Sequence, residues 1–117
     1  MNIEIFREYC LSLPDTSESM PFGPDTLVFK VASKMFALTD IDNFESINLK
    51  CDPEKAIDLR ARYPEVKPGY HMNKRHWNTI EITPTISNEQ YLEWIRESYN
   101  LVFDKLTKKE REVIVKG

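Results

Sequence analysis

The sequence predicts an α+β domain: an antiparallel sheet with helices packed on one face. Three features lead to it. Helical apolar periodicity marks both ends of the chain, short β-type apolar runs fill the middle, and an Asp-Pro helix start interrupts those runs. Short consecutive strands joined by a hairpin favour antiparallel pairing over a doubly wound parallel sheet.

Ile3, Phe6, Cys10 and Leu13 recur at spacings of three and four, so residues 2–13 read as an amphipathic helix that Pro14 ends. Residues 14–25 are rich in Pro, Asp, Ser and Gly and read as a loop. Thr26–Val31 and Met35–Thr39 are β-rich runs separated by Ala32-Ser33-Lys34, a hairpin pattern without an Asn-Gly turn. Ile47-Asn48-Leu49-Lys50 alternates as a third strand. Asp52-Pro53 supplies an N-cap and a first-turn proline, and Ala56, Leu59 and Tyr63 share the face of the helix that follows. Residues 64–76 carry no usable period. Trp77–Ile82 then alternates, with Asn78, Ile80 and Ile82 on one side. Ser87-Asn88-Glu89-Gln90 is a capping box opening a long helix with a stripe of Leu92, Ile95, Tyr99, Val102 and Leu106. Thr107-Lys108-Lys109-Glu110 is a second box, so a short basic helix follows.

The 117 residues make one domain, 1–117, and 41% hydrophobic residues suffice for a core. No apolar run approaches the roughly 20 residues a membrane helix needs, the acidic amphipathic start leads us to expect no signal peptide, and two cysteines are too few for a disulfide scaffold. A cytoplasmic protein with free thiols is expected.

Charge is unevenly placed. Residues 1–49 carry net −5, residues 50–78 net +3 and residues 79–117 net −1, within a total of −3. The stretch Tyr63–His76 therefore attracts attention: it holds Lys67, Tyr70, His71, Met72, Asn73, Lys74, Arg75 and His76, then meets Trp77 and Asn78. Cations, amide donors and flat rings are what a site needs to hold phosphate and stack on a base. The same residues would serve as a solvated basic loop anchored by Trp77. Lys30 and Lys34 bracket the hairpin turn and Lys50 ends the third strand, where lysines either meet phosphates or guard strand edges against aggregation.

His71 and His76 lack metal-ligand spacing with each other or with Cys51, so no metal is expected. Cys51, beside Lys50 and near a helix start, is either a thiol of lowered pKa or a half-buried small residue. Tyr91, Trp94 and Tyr99 read as core and flank. There is no Gly-rich phosphate loop, no nucleophile elbow and no H-E-x-x-H, so neither catalysis nor a cofactor is expected.

Pro21-Phe22-Gly23-Pro24, Leu27-Val28-Phe29-Lys30-Val31 and Lys34-Met35-Phe36-Ala37-Leu38 resemble the opening of the MmcQ/YjbR family. Asn48-Leu49-Lys50-Cys51-Asp52-Pro53-Glu54 and the run Tyr70-His71-Met72-Asn73-Lys74-Arg75-His76-Trp77-Asn78-Thr79 are similar to its central motifs. The resemblance implies a CyaY/frataxin-like α+β sandwich and a DNA-binding protein with a "double wing" of hairpins. It brings no catalytic residues. Frataxin-type iron binding does not carry over, because the first helix offers only Glu4 and Glu8.

The expected function is thus a non-catalytic module that binds DNA or another nucleic acid. Lys30, Lys34 and Lys50 would contact phosphates from the sheet, Lys74, Arg75, His76 and Asn78 would form the main anion site, and Tyr70 and Trp77 would stack. The alternative is a pocket for a small anionic ligand or peptide, in which His71, Lys74 and Arg75 converge inward.

Overall fold

Helix boundaries in this chain follow from local capping. The computed structural model describes residues 1–70 and 72–116. Helix α1, Ile3–Ser12, starts where the Asn2 side chain accepts the Ile5 N–H. Helix α2, Pro53–Arg62, starts where Asp52 accepts the Glu54 N–H. Ser87 accepts the Gln90 N–H and opens α3, Asn88–Asp104. Thr107 and Glu110 exchange bonds in a reciprocal capping box at α4, Lys108–Lys116. No helix among the described residues is long and apolar enough to cross a membrane.

Among the described residues six strands, all paired antiparallel, form one sheet: β1 Thr16–Ser19, β2 Thr26–Val31, β3 Lys34–Asp40, β4 Ser46–Lys50, β5 Val66–Pro68 and β6 Trp77–Glu81. Their order across the sheet is β1-β2-β3-β4-β6-β5. Helices α1, α2 and α3 pack against it. The α+β architecture is therefore the expected one.

Three local expectations change. Residues 14–25 are not all loop, because Thr16–Ser19 pairs along β2, with Thr16 opposite Val31 and Ser19 opposite Val28. A polar four-residue strand has no apolar alternation to announce it, and its strand character comes from its partner. Likewise Val66–Pro68 adds a three-residue edge to β6 inside a stretch that shows no period. The β2–β3 turn has two residues rather than three, since Lys34 already pairs with Val31. Ala32 there adopts φ 53, a left-handed conformation costly for any residue with a Cβ.

The main core lies between sheet and helices. Phe6 and Cys10 of α1, Phe29 and Val31 of β2, Ile47 and Leu49 of β4, Ile80 of β6 and Tyr91, Trp94, Ile95 and Tyr99 of α3 are all buried in it. Edge-to-face ring pairs fasten it, Phe6 to Phe29 and Phe36 to Tyr99, each at 5.4 Å. Tyr91, Trp94 and Tyr99 of α3 are thus core residues. The opposite sheet face carries a small cluster, Val28, Leu38 and Trp77, flanked by Met35 and Met72.

A register shift at Phe29/Lys30 turns both Phe36 and Ala37 inward. The bulge leaves the Phe36 carbonyl to accept from the buried Ser98 hydroxyl of α3 at 2.5 Å. The same Ser98 oxygen accepts the Lys50 N–H at 2.9 Å. One hydroxyl therefore ties α3 to two neighbouring strands at the end of the sheet where the candidate site lies.

Candidate functional site

Antiparallel pairing decides which residues meet. β2 and β4 end, and β3 and β6 begin, at the same end of the sheet. That geometry places Lys30 and Lys34 of the hairpin, Lys50 at the end of β4 and Trp77 at the start of β6 along one end. Residues 69, 70 and 72–76 arrive there too, since the Gly69 N–H donates to the Trp77 carbonyl at 2.8 Å. Lys74 and Arg75 therefore join the same end and are exposed.

Electrostatics show how close part of this group comes. Burial first, then repulsion from Lys105 and Lys34, lowers the pKa of Lys50. Lys105 caps the C-terminus of α3 and was not among the residues expected from the sequence. Its contribution needs α3 docked on β3 and β4, which no local pattern announces. Lys34 also helps to hold the Glu110 carboxyl below its ordinary range, although the Thr107 backbone and side chain do more. Four ion pairs occur among the described residues: Arg7–Glu18, Lys55–Glu97, Arg62–Asp58 and Lys67–Glu81. None of them uses Lys30, Lys34, Lys50 or Arg75.

The segment before β6 is built rather than loose. Gly69 is required by contact, because a Cβ there would lie 2.8 Å from the Trp77 Cβ and 3.0 Å from its carbonyl oxygen. Lys74 Nζ donates to the Gly69 carbonyl at 3.0 Å, so this cation closes its own loop. The Asn73 side chain accepts the Arg75 N–H at 2.9 Å. Arg60 of α2 is the fastener that sequence reasoning missed. It donates from Nε to Asn78 Oδ1 at 2.7 Å, and from Nη2 to the Lys74 carbonyl and, at 3.2 Å, to the Trp77 carbonyl.

Of the residues expected to act together, several go elsewhere. Trp77 is 7% exposed and packs with Val28 and Leu38, so it presents no open face for stacking. Of the two rings expected to stack, Tyr70 is the exposed one, at 69%, and its N–H donates to Thr79 Oγ1. Asn78 pairs with Leu49 on the helix-facing side and is 1% exposed, so it is absent from the outer anion surface. His76 is half-buried, and its carbonyl accepts the Cys51 N–H at 2.7 Å. The expectation for His71 lies outside the described residues.

Cys51 resolves toward its unreactive reading. It is half-buried, and burial, the largest influence, pushes its thiol up to about 11 despite the opposing effect of Lys55. Among the described residues no group of three His, Cys, Asp or Glu side chains could hold a metal ion.

Beneath the cationic end, between α2 and α3, lies a cavity of about 240 Å³ that reaches Lys50, Cys51 and Asn78. Arg60 can only donate, so Asn78 must present Oδ1 to it, and Asn78 Nδ2 then stands buried without an acceptor.

Comparison with known proteins places this geometry among relatives. The YjbR family model matches residues 11–101. The uncharacterised protein YbdF of Escherichia coli O157:H7 is 38% identical over 115 residues, spanning 97% of this chain and 94% of its own. The crystal structure of Deinococcus radiodurans protein DR2400, with a DUF419 domain, superposes with a TM-score of 0.90 at 42% identity, covering 97% of this chain and 87% of that one. A Pseudomonas syringae crystal structure gives a TM-score of 0.72 at 30% identity, over 86% of this chain and 98% of its own.

Proposed function

Since the chain belongs to the YjbR family, and its fold gathers cations from three strands, the loop before β6 and the end of α3, we propose that it is a non-catalytic cytoplasmic module that binds DNA there. The observation that carries this reading is the convergence of Lys30, Lys34, Lys50, Arg75 and Lys105 without a carboxylate ion pair among the described residues. A polyanion relieves the mutual repulsion of Lys34, Lys50 and Lys105 while releasing its own counterions. Tyr70, the exposed ring, supplies the stacking surface. The hairpin tip with Lys34 and the segment with Arg75 are the two arms that straddle a backbone.

With a net charge of −3, binding is weak and salt-sensitive. Fluorescence anisotropy with a short labelled duplex, at about 50 and 200 mM salt, tests it through the counterion-release slope. Lys34→Gln and Arg75→Gln should each reduce the slope of log K against log salt by about 0.9. Absence of binding at the lower salt, or unchanged slopes in both variants, rejects the proposal.

A further inference from the structure

Resting on the DNA reading above, we propose that the preferred substrate is a single strand, one base of which sits beside Tyr70 in a polar groove on the sheet face away from the main core.

Strand geometry puts the groove there. Ile47 and Leu49 of β4 turn into the core, so Asn48 between them faces the other side, and Thr79 of β6 lies directly opposite it. Thr26, Asp40, Ser46 and Tyr70 join them around about 310 Å³ of space. An apolar cavity of roughly 150 Å³ admits benzene, so this groove has room for one nucleobase.

Hydrogen bonding fixes what the groove offers. The Tyr70 N–H donates to Thr79 Oγ1 at 2.8 Å, and the Thr79 hydroxyl donates in turn to Asn48 Oδ1 at 2.6 Å. With its oxygen engaged, the Asn48 amide is left with Nδ2 to offer. That nitrogen meets no acceptor among the described residues and, unlike Asn78 Nδ2, is not sealed from solvent. A preset donor beside an exposed ring matches the way unpaired bases are held, stacked on an aromatic face and hydrogen-bonded along an edge. In a duplex that face and that edge are already taken by the neighbouring bases and the partner strand. Duplex DNA therefore reaches the cations alone, whereas a single strand reaches the cations and the groove.

Phosphate placement follows from the same network. Lys74 Nζ donates to the Gly69 carbonyl at 3.0 Å, so its ammonium adjoins the peptide unit whose N–H belongs to Tyr70. An ammonium has three N–H groups, and those not used on Gly69 face a phosphate oxygen beside the exposed Arg75. Asp40 ends β3 and so lies toward the other end of the sheet, while Lys67, the cation of the groove lining, is paired with Glu81. Negative charge at that end repels phosphate. The nucleotide thus lies with its phosphate toward Lys74 and its base toward Asn48.

The test is fluorescence anisotropy at about 50 mM salt, with a labelled single strand of about 12 nucleotides, its duplex, and an abasic strand of equal length. The single strand should bind at least about tenfold more tightly than the duplex, and the abasic strand no more tightly than the duplex. Tyr70→Ala should cancel the preference and Tyr70→Phe should keep it. Asn48→Asp keeps an oxygen for the Thr79 hydroxyl but removes the donor, and should weaken the single strand by about fivefold more than the duplex. If Asn48→Asp fails to fold, the exposed Tyr70 variants and the abasic strand decide. Binding of none of the three probes defeats the DNA reading and the groove with it. Equal binding of duplex and single strand, a preference that survives Tyr70→Ala, or an abasic strand that binds like the normal one overturns the groove while the cationic end stands.

Discussion

Replacing Arg60 by alanine isolates the contact that organises both the cationic segment and the cavity. The side chain makes three hydrogen bonds, and their worth differs. The Lys74 carbonyl belongs to an exposed residue and recovers water when the guanidinium leaves. The Trp77 carbonyl keeps the Gly69 N–H as a donor. The Asn78 oxygen has neither remedy: it belongs to a residue 1% exposed whose nitrogen is already unpartnered. Stranding that oxygen costs about 1–3 kcal/mol, and the weakened backbone contacts bring the loss to about 2–3 kcal/mol. At about 4 °C per kcal/mol for a domain of this size, Arg60→Ala should lower Tm by about 8–12 °C. Differential scanning calorimetry measures it. Adding Asn78→Leu in the same background removes the stranded oxygen and should restore at least half of the loss, a coupling of about 1 kcal/mol or more. A fall of less than about 2 °C in the single variant, or additive losses in the double one, refutes the assignment of Arg60 as the fastener.

Two further outcomes follow from the same end of the sheet. Ser98→Ala strands the Phe36 carbonyl at the bulge and leaves the Lys50 N–H without its acceptor, so it should cost about 1–3 kcal/mol in urea unfolding; a change below about 0.5 kcal/mol means the bulge is satisfied otherwise. Lys50, whose folded pKa lies below the ordinary 10.5, binds its proton less tightly in the folded state, so its ammonium opposes folding at neutral pH and that opposition fades as pH rises through the lowered value toward 10.5. Lys50→Met should therefore be more stable than wild type at pH 7, with the difference in Tm shrinking as pH rises toward 10.5, and a difference that stays constant on that approach contradicts the burial of Lys50 and its crowding by Lys105 and Lys34.

Helix starts were legible because their signals act over three residues. Asp52-Pro53, Ser87 with Gln90, and Thr107 with Glu110 each complete a local cap, and each one starts a helix. The strands were legible where apolar alternation runs long enough, as in β2, β4 and β6. They were not where a strand is short and polar, as in β1, or only three residues long, as in β5. Asn78 is instructive, because alternation already aligned it with Ile80, which faces the core. Its polarity suggested an anion surface, and the pleat overruled that: a side chain's face is set by its place in the ladder, not by its chemistry.

By itself the sequence determined an α+β domain with capped helices, an antiparallel sheet and cations concentrated near its middle strands. The tertiary structure alone decided that Lys105 would crowd Lys50, that Trp77 would be sealed under the outer face, and that Arg60 would hold the Asn78 side-chain oxygen. Capping and alternation work between residues a few positions apart, so the chain announces them. Each of those three contacts joins elements that meet only when α2 and α3 dock on the sheet, and docking depends on the shape of the whole core.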